Sequence, residues 1–196
     1  MAFSINIRNY SELMKGLTDY QKDMANGARR ALNDMARRGA KTIVGTEVPK
    51  VYNIPKRDVA SHFSGYKTVG TVSIAGVNID AYELTWRGRS FTPTHFAMSV
   101  LKRGTVKWKP LKHSGRIVLK STTYPQYPVF VAKGLPFTRM PGTRPKKTGR
   151  GWSGLPIDVV RSHLSVPQMI DNEKVHPNIE REISTRLEES LNKYLP

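Results

Sequence analysis

The chain has 196 residues, with 32 Lys and Arg against 15 Asp and Glu, a formal net charge of +17 and no cysteine. No apolar run approaches the roughly 18 residues that a membrane-spanning helix needs, and without cysteine there is no disulfide scaffold or thiolate metal site. A positive surplus of this size points to a polyanionic partner: nucleic acid, acidic protein or anionic surface.

The opening MAFSINIRNY has neither the basic start nor the continuous apolar stretch of a secretory signal, so synthesis inside a cell is expected. Its alternation of Phe3, Ile5 and Ile7 with polar neighbours suits an arm or short strand over residues 1–10. From Ser11 to Val44 the spacing predicts one long amphipathic helix. Leu13, Leu17, Tyr20, Met24, Ala28, Ala31, Met35 and Ile43 recur at intervals of three and four, with charged residues opposite. Ser11 is the expected N-cap, and Pro49 is expected to end the element. A turn through Asn53-Ile54 and a short helix opened by Pro55 follow.

From Lys67 the period changes to two, and a β-hairpin through Ala75-Gly76-Val77 is expected. Further strand candidates are Thr105 to Leu111, Gly115 to Lys120 and Val129 to Lys133, with His113-Ser114-Gly115 as a tight connection. Pro93 to Leu101 reads as a short helix or loop that buries Phe96 and Met98, and Leu155 to Val160 returns to the sheet. The Pro- and Gly-rich stretch Met140 to Gly154 reads as a mobile basic loop. A last helix over residues 172–195 carries the stripe Ile179, Ile183, Leu187, Leu191 and Tyr194. The expectation is a single α+β domain over residues 1–196, with the N-terminal and C-terminal helices packed on an antiparallel sheet and an extended basic loop.

Catalytic chemistry finds little support. The histidines His62, His95, His113, His163 and His176 are scattered, and no pair has the helical spacing of a zinc protease. Gly149, Gly151 and Gly154 lack the Gly-Lys-Ser/Thr ending of a phosphate-gripping loop. Asp80 and Glu83 lie near a strand as nuclease carboxylates do, yet no lysine follows at the required place. Neither an enzyme nor a metal or other cofactor is expected. The charge distribution says more: no Asp or Glu occurs from Leu84 to Ile157, a stretch that holds fifteen Lys and Arg. The candidate phosphate contacts there are Arg87, Arg89, Lys102, Arg103, Lys107, Lys109, Lys112, Arg116, Arg144, Lys146, Lys147 and Arg150. Lys107 and Lys109 flank Trp108, so a strand would present both lysines on one face and the indole on the other. With no base-reading helix and no paired aromatic platform, the expected attraction is sequence-independent.

The run Ala31-Leu32-Asn33-Asp34-Met35-Ala36-Arg37-Arg38, followed by Tyr52-Asn53-Ile54-Pro55-Lys56-Arg57-Asp58-Val59, resembles the opening of the minor tail protein Z family, the tail completion proteins of long-tailed bacteriophages. Arg87-Gly88-Arg89, Pro93 to Phe96, Val129 to Ala132, Leu155-Pro156-Ile157 and Leu164-Ser165-Val166-Pro167-Gln168-Met169 are similar to its later stretches. The chain has His163-Leu164 where the family often has Gly-Pro. The resemblance implies a virion protein, made in the host cytoplasm, that completes the head-proximal end of the tail. It further implies a homo-oligomeric, hexameric ring at the head-tail junction, in contact with the tail tube or terminator, the neck proteins and the double-stranded DNA of the channel, with no membrane partner. A cellular RNA- or DNA-binding protein without sequence preference is the competing reading of the same charge.

Overall fold

The computed structural model describes residues 10–102, 104–142, 146–148, 151–153 and 157–194, with backbone alone at 10–14, 17, 146–148 and 151–153. The candidate contacts Arg103, Arg144 and Arg150, and residues 1–9 of the expected N-terminal arm, lie outside the described residues. The fold is α+β, built from helices and small antiparallel sheets. It forms two compact units. The first combines the chain up to Ile43, Ser64–Thr85 and the chain from Glu180; the second combines Val44–Phe63 and Trp86–Ile179.

Helix α1 (Tyr10–Asp34) passes through a π-helical turn, Met35–Gly39, into α2 (Ala40–Val51). In the π turn the Ala40 N–H reaches back five residues to the Met35 carbonyl. Gly39 makes room for the Met35 side chain, because a Cβ there would lie 2.5 Å from Met35 Sδ. The expected stripe is buried from Ala31 through Met35, Ala36, Ala40 and Ile43, but Tyr20 and Met24 remain 51% and 39% exposed. Pro49 does not end the helix, contrary to expectation. The Tyr52 N–H still donates to Val48 (2.9 Å), and Val44, Val48 and Tyr52, at spacing i, i+4, i+8, are all buried. Burying two valines and a tyrosine, at about 1.5–3 kcal/mol per large apolar side chain, offsets the ~3 kcal/mol penalty of an interior proline.

In the first unit, β1 (Phe63–Ile74) and β2 (Val77–Trp86) form a two-stranded hairpin. The turn residues Ala75 and Gly76 both take positive φ (50° and 76°), the pattern of the two-residue turn whose twist matches paired strands. Thr71 Oγ1 donates to Asp80 Oδ1 (2.8 Å), Tyr66 meets Tyr82 edge-on (5.6 Å), and Lys67 pairs with Glu83 (2.8 Å). The Tyr82 hydroxyl donates to Asn33 Oδ1, tying the hairpin to α1. Helix α5 (His176–Tyr194) adds a third element, and its Tyr194 backbone lies so close to α1 that a Cβ on Gly27 would be 3.1 Å from the Tyr194 carbonyl oxygen.

In the second unit, α3 (Lys56–Ser61) begins after Pro55 as the sequence predicts, and a 3-10 turn occupies Pro93–His95. The expected single sheet is divided. Strands β3 (Ser99–Val100), β4 (Val106–Trp108) and β5 (Ile117–Val118) form one three-stranded sheet; β6 (Phe130–Ala132), β7 (Leu135–Arg139) and β10 (Ile157–Val159) form another in the order β10-β7-β6. Prolines and short runs limit each strand to five residues or fewer, so none is long enough to knit the two together. Strand β7 carries Pro136 as its second residue, where the proline carbonyl still accepts from Val160 N–H (2.9 Å). Within the stretch Met140 to Gly154, β8 (Lys146–Thr148) and β9 (Gly151–Ser153) pair, Lys147 opposite Trp152. Pairing lets two short segments satisfy each other's backbone groups in a stretch with few apolar residues. Helix α4 (Val166–Ile170) opens at a capping box, with Gln168 Oε1 accepting from Ser165 N–H (2.9 Å).

Candidate polyanion-binding surface

The β3–β4–β5 sheet separates charge from core. Val106 and Leu119 are buried together with Val129 and Val160, and Met98, Trp108 and Val131 pack against them. Trp108 also meets the fully buried Phe96 edge-on (5.4 Å, 83°). Since neighbours along a strand alternate faces, Lys107 stands on the side opposite Val106 and Trp108, in register with Ser99 on β3 and Val118 on β5. The alternation expected of Lys107 and Trp108 therefore follows from the pairing. Arg116 precedes β5, and its Nη1 reaches Ser99 Oγ on β3 (3.3 Å). With β4 lying between those strands, the guanidinium must cross over it on the Lys107 side. Lys107 and Arg116 thus share one face.

The other candidates distribute around this sheet or apart from it. Lys102 sits exposed in the β3–β4 turn, where Gly104 (φ 78°) donates its N–H to Leu101 (2.8 Å). Lys109 and Lys112 are tied to the end of α2: Asn53 Nδ2 donates to the Lys109 carbonyl (3.2 Å), and Lys112 donates through its backbone N–H to Val51 (2.8 Å) and through Nζ to Pro49 (3.5 Å). A cation on the last carbonyls of a helix offsets its negative end, so Lys112 has structural work that the sequence did not disclose. Arg87 and Arg89 are exposed in the segment after β2, where Arg87 N–H donates to His62 (2.8 Å). Lys146 and Lys147 belong to β8. Among the described residues, none of Arg87, Arg89, Lys102, Lys107, Lys109, Lys112 and Arg116 forms an ion pair with a carboxylate.

The fold also assembles groups that spacing in the sequence kept apart. Asp58 on α3 accepts at Oδ2 from His95 Nδ1 (2.7 Å), and its carbonyl lies 2.9 Å from His62 Nδ1. Both imidazoles pack against Phe91, with ring centroids 4.3 and 5.1 Å away. Positions 37 residues apart carry no local signal of this cluster. Among the described residues no three His, Asp or Glu side chains are grouped to hold a metal ion, and no helix is long and apolar enough to cross a membrane. In the first unit a groove of about 550 Å³ runs between α1, the hairpin and α5, with Leu32, Val72, Ile74, Ile79, Ile183 and Leu187 among its walls. Hairpin residues Val69 and Val72 are 56% and 63% exposed.

Compared with protein-family models, curated proteins and solved structures, the chain matches none.

Proposed function

We propose that this chain is a structural virion protein of a long-tailed phage, completing the head-proximal end of the tail as a ring around the DNA path. The observation that carries the reading is the acid-free stretch from Leu84 to Ile157, in which Lys107 and Arg116 occupy one face of a small sheet whose other face is core. Such a surface attracts phosphate without reading sequence, as contact with any DNA that happens to lie in a channel requires. A hexamer would gather about a hundred positive charges around that path, a field able to hold the end of a packaged genome. The resemblance of Ala31 to Arg38, Tyr52 to Val59 and Leu164 to Met169 to the minor tail protein Z family supports the location, and the exposed apolar hairpin supports assembly with like subunits.

Binding of a random-sequence duplex, titrated against salt, tests the carrying observation. The reading predicts sequence-independent binding, and predicts that Lys107→Gln with Arg116→Gln lowers the slope of log K against log salt by about 2, near 0.9 per lost phosphate contact. An unchanged slope removes this face from the DNA contact. Strong preference for one sequence, or for RNA over duplex DNA, favours a cellular nucleic-acid-binding protein instead.

A further inference from the structure

A polar pocket in the first unit belongs to neither surface described above. It encloses about 290 Å³ beside the π turn and the last turns of α5, and its lining includes Asp34, Arg38, Arg186, Ser190, Lys193 and Tyr194. Arg186, Ser190 and Lys193 follow at i, i+4 and i+7, so they share one helix face. Arg38 arrives from the π turn, where an extra residue per turn widens the helix at the pocket wall. Three cations therefore converge from two elements. Among the described residues none of the three has a carboxylate within 4.0 Å, although Asp34 and Arg38 are four apart in sequence. Asp34 instead accepts at Oδ2 from the Tyr194 hydroxyl (2.8 Å), and Lys193 Nζ lies 5.8 Å from the Tyr194 ring centroid.

Like charges gathered around a small cavity repel unless an anion occupies it. With one carboxylate against three cations, the described lining residues carry a net charge of +2. That matches a phosphate monoester, which bears about −1.5 to −2 at neutral pH, better than a phosphodiester with its single charge. The volume lies at the lower edge of small-molecule pockets, roughly 300–1,000 Å³, and suits a compact anion. We propose that this pocket binds a phosphate dianion, either inorganic hydrogen phosphate or the terminal monoester phosphate of a nucleotide. Arg38 and Arg186 offer guanidinium forks, Lys193 a point charge and Ser190 a hydroxyl. Asp34 Oδ1, the oxygen not engaged by Tyr194, accepts the proton of a singly protonated phosphate, which sulfate does not have. The inference is independent of the junction role, since its residues lie outside the acid-free segment.

Calorimetric titration of the full chain with inorganic phosphate, AMP and sulfate tests it. Saturable phosphate or AMP binding is expected, at least tenfold weaker in each of Arg38→Gln, Arg186→Gln and Lys193→Gln and unchanged in Lys22→Gln, which lowers the net charge equally from elsewhere on α1. All four residues are exposed, so circular dichroism should report an unaltered fold. Phosphate should bind about tenfold more tightly than sulfate, and Asp34→Asn should erase that preference. Binding of phosphate and AMP together marks a general phosphate-dianion site; AMP alone marks a nucleotide site. The proposal is overturned if neither binds, if Lys22→Gln weakens binding as much as the pocket substitutions, or if sulfate binds as tightly as phosphate. It is equally overturned if the pocket substitutions instead weaken a short duplex without terminal phosphates, which would make the ligand a backbone diester.

Discussion

Phe96→Ala should be among the most damaging single substitutions in the second unit. Phe96 is fully buried and meets two aromatic rings edge-on, Trp108 at 5.4 Å and Phe91 at 6.2 Å. Removing a buried phenylalanine typically costs about 3–5 kcal/mol through lost transfer energy and the cavity left behind. Each aromatic pair contributes about 0.5–1.5 kcal/mol beyond its area, so Phe96→Leu, which keeps most of the volume, should still cost roughly 1–3 kcal/mol. A domain is stable by about 5–15 kcal/mol, so the alanine variant should remain folded but visibly weakened. Urea unfolding followed by tryptophan fluorescence reads the effect directly, because Trp108 is one of the rings in contact. With a slope near 2 kcal/mol/M, Phe96→Ala should lower the midpoint by about 2 M and Phe96→Leu by about 1 M. A shift below about 0.5 M for the alanine variant, or equal shifts for both, would refute the claim that this aromatic cluster anchors the sheet beneath Lys107.

Three further outcomes are expected. Gly16→Ala should stabilise the protein by about 0.5–1 kcal/mol, since the site is an exposed helical position with nothing within 4 Å of the new Cβ; thermal denaturation checks it. Ala75→Asn should stabilise the hairpin by roughly 0.5–1 kcal/mol, because Ala75 holds φ at 50° and asparagine tolerates that conformation better; amide exchange along β1 and β2 should slow. The hydrogen bond to Asp34 and that residue's negative charge raise the Tyr194 pKa above the ordinary tyrosine range. A raised folded pKa means that this contribution is complete below the unfolded value and is lost as pH climbs through the folded one. Wild type should therefore exceed Tyr194→Phe in stability near neutral pH, the difference should shrink above about pH 10, and a gap that widens there would contradict the assignment.

The parts of the fold legible in the sequence are those with a sustained period. The long helix, the hairpin turn at Ala75-Gly76, the helix after Pro55 and the stripe of α5 all announce themselves through spacing or turn chemistry. Strand β7 escaped because Pro136 demotes any run that contains it, although here the proline lacks only its own N–H donor while its carbonyl still accepts from Val160, just after β10. The helix end at Val51 escaped for the opposite reason, since tertiary burial of Val48 and Tyr52 overrode a local breaker. At the candidate surface, alternation in the sequence sets Lys107 opposite Trp108, but nothing local ties Lys112 to the carbonyls of α2 or brings Arg116 to Ser99. The pocket at Arg38, Arg186 and Lys193 was equally invisible, because its two halves are about 150 positions apart and each alone reads as a solvated helix face.

The proposed ring is tested most directly by light scattering of the purified protein at low and moderate salt, with and without double-stranded DNA. A closed assembly near six times the 22.1 kDa chain mass is expected, and one held by apolar contacts at the exposed hairpin rather than by charge should persist at moderate salt. A monomer at every salt that coats DNA only at low salt would contradict it and leave a general nucleic-acid-binding protein in its place.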